Sequence, residues 1–422
     1  MPDAYLNLNV RGLGASATLA INERSAQLQR EGREIYRLGL GQSPFPVPEP
    51  VVEALRANAH QKDYLPVHGL RELREAVAEH VRSTQEIDVP ADGVVIGPGS
   101  KELLFLTQLV HYGDLIMPTP SWVSYAPQAR IVGRQVHWLA TTRENDWRLT
   151  ADELARFCAS DPERPRLLIL NYPNNPSGAT YNAAQLEALA ATAREFKVLV
   201  ISDEIYGEVE FSGGHTSIAR FYPEGTILST GLSKWCGAGG WRLGVFCIPE
   251  ALFWLRDALV SAASETFTST SAPIQFAAVR AFQGGVEIED YLTQSRKVLR
   301  ALGTWSAQRL REPGAQLPLP EGGFYLFPDL TACRRRLAHR ELRDSSSLCE
   351  RLLEDTGVAA LPGTVFGRPA EELTLRLAFV DFDGARALSA ARMLGEPDEA
   401  FLRQYCGRVV TAVERLCDWL EA

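Results

Sequence analysis

Short apolar segments alternate with segments of helical periodicity through the middle of the chain. Continuous apolar strands between helices indicate a mainly parallel sheet that is covered on both faces. Binding groups then collect beyond the carboxyl ends of the strands. The predicted strands are 93–97, 114–118, 166–173, 198–203, 225–230 and 241–249, and the predicted helices are "SKELLFLTQLVH" and 183–197.

The last third of the chain changes character. It contains two predicted strands, "EGGFYLFPDL" and "LTLRLAFV", a helix "SSSLCERLLEDTG" that stops at glycine, and one long final helix, "DEAFLRQYCGRVVTAVERLCDWLEA". We therefore predict a second, smaller α+β domain. The predicted division is an N-terminal segment that packs with the small domain (1–45), a large domain (46–295) and the small domain (296–422).

Composition excludes several classes of protein. The 422 residues are 45% hydrophobic, carry a net charge of −9 and contain no dense basic run, so nucleic acid and membrane are not expected partners. No signal-peptide pattern and no apolar run of roughly 18 residues is visible. The seven cysteines form no CxxC pair and no metal-ligand spacing, which favours a reducing, cytoplasmic location and predicts no metal site.

Two turns after predicted strands are candidates for ligand contacts. In "GPGSKELLF" (97–105) a Gly-Ser turn opens a helix, where free backbone N–H groups and the helix dipole suit a phosphate. Ser100 is equally well read as an ordinary helix N-cap. In "NYPNNPSG" (171–178) the amides either form the turn or place one side chain against a ligand oxygen.

Charged residues at the ends of apolar strands are sharper signals. Asp203 ends the strand of "VISDEIY", where a carboxylate is costly without a partner, and Tyr206 follows three residues later. Capping of the next helix is the alternative role for Asp203. Arg376 lies within the apolar strand "LTLRLAFV" and needs an anion, either a substrate carboxylate or an internal acidic residue.

One lysine stands in an unusual setting. The chain has only five lysines, and Lys234 lies in the glycine-rich "STGLSKWCGAGGWRLG" (229–244) with Arg242 eight residues later. A lysine in apolar surroundings has a depressed pKa and forms a Schiff base with a carbonyl, and Arg242 is suited to a phosphate. An exposed loop lysine is the alternative. Taken together, the order of these residues matches what pyridoxal phosphate requires: a lysine, a carboxylate, phenol-facing donors, a phosphate cup and an aromatic ring.

With these motifs the chain resembles the fold-type I, pyridoxal-phosphate-dependent class I/II aminotransferases, in particular the bacterial aspartate aminotransferase subgroup. The resemblance covers about residues 12–380. It rests on "SATLAINERSAQLQREG", "LGLGQSPFPVP", "YLPVHGLRELREAVAE", "PSWVSY", "NYPNNPSG", "SDEIY", "SKWCGAGGWRLG", "GGFYLF" and "LRLAF". It implies a large domain with a mainly parallel seven-stranded sheet between helices, together with the smaller α+β domain.

The resemblance also implies roles for individual residues. Lys234 carries the cofactor as a Schiff base and then moves the proton at the substrate Cα, and Arg376 holds the substrate α-carboxylate with help from Gly41 and Asn175. For the cofactor, the implied contacts are Asp203 on the ring nitrogen, Asn175 and Tyr206 on the phenolic oxygen, Trp122 on the ring face, Gly99, Ser100, Lys101 and Arg242 on the phosphate, and Tyr64 on the phosphate of the neighbouring subunit. The last contact implies a homodimer with shared sites.

The chain departs from the family pattern at several places. Gly231 stands where many relatives have serine, so one phosphate contact is absent or is replaced by Ser233. His68 either lies at the mouth of the partner's site or is surface variation. Lys101 matches a position that meets a distal carboxylate in the aspartate-type subgroup, or it serves the phosphate region alone. The segment after Arg376 is longer than in compact relatives and has no assigned role.

The resemblance implies a transaminase that moves an amino group between an L-amino acid and a 2-oxo acid in two half-reactions. The first alternative is a lyase or a cyclising synthase of the aminocyclopropane-carboxylate type, which uses the same cofactor residues. The second is a non-enzymatic binding module, such as the sensor half of a regulator. It is disfavoured because no DNA-binding segment precedes residue 16 and the catalytic set is complete.

Overall fold

The computed structural model describes residues 5–14 and 17–422, and the strands in this part of the chain form three sheets. The strands are β1 Tyr36–Arg37, β2 Val94–Gly97, β3 Asp114–Thr119, β4 Val136–Ala140, β5 Arg166–Asn171, β6 Leu199–Asp203, β7 Thr226–Gly231, β8 Gly244–Cys247, β9 Tyr325–Leu326, β10 Val358–Ala359, β11 Leu361–Pro362 and β12 Leu375–Ala378. The α-helices are α1 Ala17–Arg30, α2 Glu49–Asn58, α3 Arg71–Gln85, α4 Ser100–Val110, α5 Tyr125–Ile131, α6 Ala151–Ala159, α7 Ala183–Glu195, α8 Phe253–Ser264, α9 Ala272–Phe282, α10 Val286–Arg311, α11 Ser345–Thr356, α12 Gly384–Leu394, α13 Glu399–Tyr405 and α14 Gly407–Glu421.

The central sheet has seven strands in the order β2-β8-β7-β6-β5-β3-β4. Strand β8 runs antiparallel to both of its neighbours, and the remaining pairs are parallel. Every residue of β5 and β6 is buried, because helices cover both faces of a sheet of this kind. The predicted fold class, a mainly parallel seven-stranded sheet between helices, is confirmed.

Strand β4 was not among the predicted strands. It forms the edge of the sheet, and its residues are mostly half-buried or exposed, with Trp138 40% exposed. An edge strand of this kind has no continuous apolar run, so its sequence lacks the signal by which the inner strands were predicted.

The C-terminal part carries a small antiparallel sheet in the order β11-β12-β9. Helices α10, α11, α12 and α14 contact one another in the same part of the molecule. Strand β1 pairs in parallel with β10, so the N-terminal segment joins this part, while 1–4 and 15–16 of that segment lie outside the described residues. The predicted boundaries stay a prediction, and the one at 295/296 falls within the continuous helix α10.

The predicted single final helix is wrong. The segment forms two helices, α13 and α14, separated at Cys406, which has φ −120° and ψ 21°. Cys406 is buried, and Gly407 follows it with no intrinsic preference for helical geometry. Breaking the helix here lets apolar side chains of both pieces, such as Phe401 and Val410, reach the core.

All seven cysteines are buried and none forms a disulfide. Within the described ranges, no helix is both long enough and apolar enough to cross a membrane.

Candidate active site

A cavity of about 530 Å³ lies beyond the carboxyl ends of the central strands. A volume of a few hundred Å³ is typical of sites for small molecules. The lining residues are Leu40, Gly41, Gln42, Ser100, Lys101, Trp122, Tyr125, Asn171, Asn175, Asp203, Ile205, Tyr206, Ser233, Lys234, Gly239, Gly240, Arg242, Tyr325 and Arg376.

Asp203 is the acidic residue of this lining, at the end of β6. Its side chain is buried and accepts hydrogen bonds from the Tyr125 hydroxyl, at 2.5 Å, and from the Ser229 hydroxyl, at 3.3 Å. Burial raises the pKa of Asp203 to about 6, against the opposing effect of these donors. The alternative that Asp203 caps the next helix is wrong, because the next helical turn is the 3-10 turn Gly207–Val209, whose N-cap residue is Tyr206 and which has no side-chain cap.

Lys234 follows β7 and reaches the cavity. Its Nζ donates a hydrogen bond to the Gly41 carbonyl at 2.7 Å and lies 5.6 Å from the centroid of the Tyr206 ring. Burial, followed by the positive charges of Arg376 and Arg242, lowers the pKa of Lys234 to about 8. A lysine in these surroundings is the candidate nucleophile of the site, because an appreciable part of it is a free amine near neutral pH.

Gly99 and Ser100 begin helix α4 at one end of the cavity. Gly99 is the N-cap residue, with φ +93°, and a Cβ added there would overlap the guanidinium of Arg242. Ser100 is therefore the first residue of the helix, and not its N-cap. The free N–H groups of this helix start and the Arg242 cation lie together, an arrangement that suits a phosphate.

Arg376 lies on β12 and is 3% exposed. Its Nη1 donates to Asn175 Oδ1 at 3.0 Å and its Nη2 to the Gly39 carbonyl at 2.6 Å. Its Nε is buried and has no hydrogen-bond partner among the described residues. The alternative of an internal acidic partner is wrong for this part of the chain, and burial accordingly lowers the pKa of Arg376.

Tyr206 and Tyr325 form a chain of contacts across the site that ends at Arg376. The hydroxyls of Tyr206 and Tyr325 lie 2.8 Å apart, and the ring of Tyr325 lies 4.7 Å from the Arg376 guanidinium. Burial raises the pKa of Tyr206 well above its ordinary value. Nearby, the Lys101 ammonium lies 5.0 Å from the centroid of Trp122.

Most of the sequence-predicted site residues line this one cavity: Gly41, Ser100, Lys101, Trp122, Asn175, Asp203, Tyr206, Ser233, Lys234, Arg242 and Arg376. Gly99 lies directly behind Arg242. Tyr64 is not part of the lining and is 88% exposed.

Sequence reasoning missed Tyr125, Asn171 and Tyr325 as residues of the site. Asn171 donates from its side chain to the Asp203 carbonyl at 2.8 Å and so fixes the end of β6. Each missed residue lies within a motif that was quoted, namely "PSWVSY", "NYPNNPSG" and "GGFYLF". Position at the carboxyl end of a strand was the available signal for Asn171, whereas the two tyrosines read as core residues.

The residues of the cavity fit pyridoxal phosphate. Asp203 supplies the buried carboxylate, Lys234 the amine, Trp122 a ring face, and the α4 start with Arg242 an anion cradle that a Cβ at Gly99 would fill. The unpartnered Nε of Arg376 provides a further buried donor for an anion.

Comparisons with known proteins agree with this geometry. The family model "Aminotransferase class I and II" matches residues 33–386. The chain is 33% identical to the aspartate/prephenate aminotransferase of Thermus thermophilus, covering 86% of this chain and 91% of the relative. It is 32% identical to the aspartate aminotransferase of Geobacillus stearothermophilus, over 85% and 91%. The solved structure of Thermus thermophilus aspartate aminotransferase with maleate superposes with a TM-score of 0.84 at 29% identity, covering 99% of this chain and 100% of that one.

Proposed function

Because the chain belongs to the class I and II aminotransferases and is a pyridoxal-phosphate-dependent transaminase, we propose that its amino donor is an acidic L-amino acid. The observation that carries this proposal is the charge of the cavity. Two lysines and two arginines line it, against the single carboxylate of Asp203. Phosphate neutralises part of this positive charge, and a substrate with two carboxylates uses the rest.

The residues that would hold the cofactor are proposed from the geometry above. Asp203 would pair with its ring nitrogen, and Asn175 and Tyr206 would donate to its phenolic oxygen. Trp122 would cover the ring, and the phosphate would lie against Gly99, Ser100, the backbone N–H of Lys101, Ser233 and Arg242. When bound, pyridoxal phosphate supplies an electron sink for the carbanion character that develops at the substrate Cα.

Lys234 would remove and return the proton at the substrate Cα. Its position in the cavity and its lowered pKa, about 8, make it an effective base near neutral pH. Its hydrogen bond to the Gly41 carbonyl holds the amine on the substrate side of the cavity.

Arg376 would bind the α-carboxylate of the substrate. It is held by Asn175 and by a backbone carbonyl, it has no acidic partner among the described residues, and its Nε remains available. A buried guanidinium in this state gains most from a planar anion, which it can bind in a bidentate manner.

Lys101 would bind the second carboxylate of the substrate. Its ammonium lies over Trp122 at the cavity, and burial together with the charge of Arg242 lowers its pKa. Two observations on relatives support this proposal: several are aspartate aminotransferases, and one was solved with maleate, a dicarboxylate. The transaminase activity of the relatives leaves the lyase or cyclising synthase as the disfavoured alternative.

Two further features are part of the proposal. We propose a homodimer in which Tyr64 reaches the partner's site, since its ring is exposed and does not line the cavity of its own chain. We also propose that the enzyme works in the cytoplasm, which keeps thiols such as the seven unpaired cysteines reduced.

The test is a half-reaction without oxo acid. The visible spectrum of the purified protein is recorded while single amino acids are added. We expect aspartate or glutamate to bleach the yellow absorbance with one equivalent of oxo acid released, and Lys234→Ala to be inactive. Release of ammonia or of a cyclic product with an unchanged spectrum would contradict transamination.

The substrate class is tested with Lys101→Gln. We expect kcat/KM for acidic substrates to fall roughly tenfold to a hundredfold, as for a lost charged hydrogen bond, with little change for neutral amino acids. Lys197→Gln is the matched control, because Lys197 is exposed and precedes β6 at the end opposite Asp203. Equal losses for acidic and neutral substrates would assign Lys101 to the phosphate region alone.

A further inference from the structure

Glu204 and His215 form a buried pair behind the site. Glu204 follows Asp203 directly, does not line the cavity, and lies with its side chain 3% exposed. The His215 imidazole is 4% exposed, and its Nε2 lies 2.9 Å from Glu204 Oε2. A carboxylate buried to this extent is costly unless a cation or several donors compensate it.

The other oxygen of the Glu204 carboxylate accepts hydrogen bonds from three hydroxyl groups. Its Oε1 accepts hydrogen bonds from Ser202 at 2.6 Å, from Ser217 and, more weakly, from Tyr172 at 3.4 Å. These donors come from β6, from the segment that also carries His215 and from the end of β5. Hydroxyl donors compensate the cost of burying a carboxylate, so these contacts hold the Glu204 side chain in its buried position.

The other nitrogen of the His215 imidazole, Nδ1, has a hydrogen-bonding capacity that the described residues do not use. His215 Nδ1 is buried and has no hydrogen-bond partner among the described residues, and the same is true of Gln85 Oε1. Both residues line a cavity of about 20 Å³ between α3 and the segment after β6. One water needs roughly 10–15 Å³ and at least two polar partners, so this space is large enough for one water, and Nδ1 and Gln85 Oε1 are unpartnered polar atoms of its lining residues.

The backbone connects this pair to the cofactor side of the site. The Glu204 N–H donates to the Ser229 carbonyl at 2.8 Å, and the Gly207 N–H donates to the Glu204 carbonyl at 2.8 Å. The turn that is closed in this way spans 204–207, so Asp203 directly precedes it and Tyr206 lies within it. A shift of Glu204 would therefore move both of the side chains that face the cavity.

We propose that Glu204 and a doubly protonated His215 form a buried ion pair, completed by one water on Nδ1, that positions Asp203 and Tyr206 for the cofactor. The inference rests on the proposed role of Asp203. Glu204 and His215 touch neither cofactor nor substrate and are positioning residues. The positive charge on His215 also cancels the Glu204 carboxylate, which otherwise opposes ionisation of the adjacent Asp203.

Other ionisable groups surround the pair. Tyr172 lies at the end of β5, Cys247 on β8, and Asp203 on β6, and the negative charge of Glu204 acts on the pKa of each of them. Glu208 lies nearby in the segment after β6 and is itself paired with His80 of α3 and Arg296 of α10. Glu208 therefore has Arg296 as a cationic partner of its own, and His215 lowers the pKa of Glu208 less than His80 and Arg296 do.

The first experiment observes the proton directly. The holoenzyme is labelled with 15N-histidine, and His215→Gln identifies the His215 signals. We expect both ring nitrogens of His215 to carry a proton at pH 7, with Nδ1–H protected from rapid solvent exchange. A neutral imidazole with one bare nitrogen at pH 7 would overturn the proposal.

The second experiment measures the pH midpoint of the visible absorbance change of the holoenzyme. Loss of the His215 cation in His215→Gln leaves Glu204 uncompensated, and the added negative field favours the protonated, cationic chromophore. We expect the midpoint to rise by roughly half a pH unit or more and to return toward the wild-type value in the double variant His215→Gln/Glu204→Gln.

His137→Gln is the matched control. His137 also pairs with a carboxylate, that of Asp114, but Asp114 begins β3 and so lies at the end of the strand that is away from the cavity. We expect it to leave the midpoint unchanged. A midpoint that does not move in His215→Gln, or that moves equally in the double variant, would reduce the pair to a structural role and overturn the inference.

Asp203→Asn separates this inference from the proposed function. If Asp203→Asn retains the spectrum and the cofactor affinity of the wild type, the proposed role of Asp203 fails. If Asp203→Asn loses them while His215→Gln behaves as the wild type, only the further inference fails.

Discussion

At the residue scale, the ionisable side chains at the centre of the site are buried or half-buried and have uncharged hydrogen-bond partners. Lys234 and Arg376 donate to backbone carbonyls and Asp203 accepts from hydroxyls, so none of the three is neutralised by a side chain of opposite charge among the described residues. Burial shifts the pKa of each toward its neutral form. Such shifts are common at functional sites because the ligand supplies the missing charge.

Lys234 costs stability as long as the cofactor is absent. Its pKa is about 8 in the folded protein and 10.5 in the unfolded chain. Below pH 8 the cost is complete and amounts to about 3 kcal/mol. Between pH 8 and 10.5 only the unfolded chain holds the proton, so the free energy of unfolding rises with pH in this window.

We therefore expect the cofactor-free Lys234→Met variant to be more stable than the cofactor-free wild type. The gain at pH 7 should be about 1–3 kcal/mol and should shrink toward pH 10. Urea unfolding of both proteins at pH 7, 8.5 and 10 measures it. A variant that is less stable than the wild type at pH 7 would show that the hydrogen bond to Gly41 outweighs the desolvation of the ammonium.

The Tyr125 hydroxyl holds Asp203 in its ionised form. In Tyr125→Phe the pKa of Asp203 should rise above about 6, because burial would then act with less opposition. We expect cofactor affinity to fall roughly tenfold or more, as for a lost hydrogen bond to a charged group, and the loss to be larger at pH 6 than at pH 8.

Titration of the cofactor-free protein with pyridoxal phosphate measures this affinity. Tyr181→Phe is the control, since its hydroxyl accepts from the Leu149 N–H away from the cavity. A loss that does not depend on pH would mean that Tyr125 acts by packing and not through the charge of Asp203.

At the element scale, the start of α4 depends on glycine for two separate reasons. Gly99 has φ +93° and also lies where a Cβ would overlap Arg242. Gly285 is the N-cap of α10, has φ +102°, and has open space around its Cβ position. Gly99 is thus subject to both constraints, whereas Gly285 is subject only to the conformational one.

We expect Gly285→Ala to cost about 1–3 kcal/mol of stability with unchanged cofactor affinity. Gly99→Ala should lose a similar amount of stability and, in addition, bind pyridoxal phosphate roughly tenfold more weakly, because Arg242 is displaced. Denaturant unfolding and cofactor titration of both variants separate the two effects. Equal cofactor affinity in the two variants would contradict the proposed phosphate cradle.

The inner strands of the central sheet and the end of helix α11 were predictable from the sequence. The six predicted strands of the central sheet are buried on both faces and read as unbroken apolar runs, whereas β4 forms an exposed edge. Helix α11 ends as predicted, because Gly357 adopts φ +78° just after Thr356. The break at Cys406 was not predictable, because it is set by contacts between the two final helices and the core.

The site residues were predictable as far as they follow strands or carry charge. Burying the charged side chains of Asp203, Lys234 and Arg376 costs free energy. The sequence shows this cost, because each residue lies in or beside an apolar or glycine-rich segment. Tyr125 and Tyr325 carry no such cost, and their hydroxyls acquire partners only through tertiary packing. Gly231 was noted as a departure, and the structure explains it: a Cβ there would lie 2.6 Å from the Leu243 carbonyl oxygen.

At the scale of the whole molecule, we propose that the chain acts as a dimer whose sites take residues from both copies. Mixing two variants, each altered at a different residue of the proposed shared site, tests this. Lys234→Ala and Tyr64→Ala are unfolded together, refolded together and assayed. In a mixed dimer one site combines Lys234 of one copy with Tyr64 of the other, so we expect activity to return to roughly a quarter of the wild type.

The control for this experiment is a mixture of Lys234→Ala with Arg242→Ala. Lys234 and Arg242 line the cavity of the same chain. Each site of that mixed dimer therefore still lacks one of the two residues, and we expect no activity to return. Equal recovery in both mixtures, or sedimentation that shows a monomer at assay concentration, would contradict shared sites.

The carbonyls of Gly39 and Gly41, in the N-terminal segment, accept hydrogen bonds from Arg376 and Lys234. These contacts affect how the enzyme discriminates among substrates. In the cofactor-free chain Gly39 and Gly41 keep both cations in place, and the Gly39 contact holds Arg376 without involving the cofactor. In the proposed binding mode, an incoming α-carboxylate would meet an ordered Arg376 guanidinium and lose little affinity to side-chain immobilisation. An amine that lacks this carboxylate finds the same guanidinium desolvated with nothing to bind. The enzyme should therefore reject decarboxylated amino acids far more strongly than it distinguishes one amino-acid side chain from another.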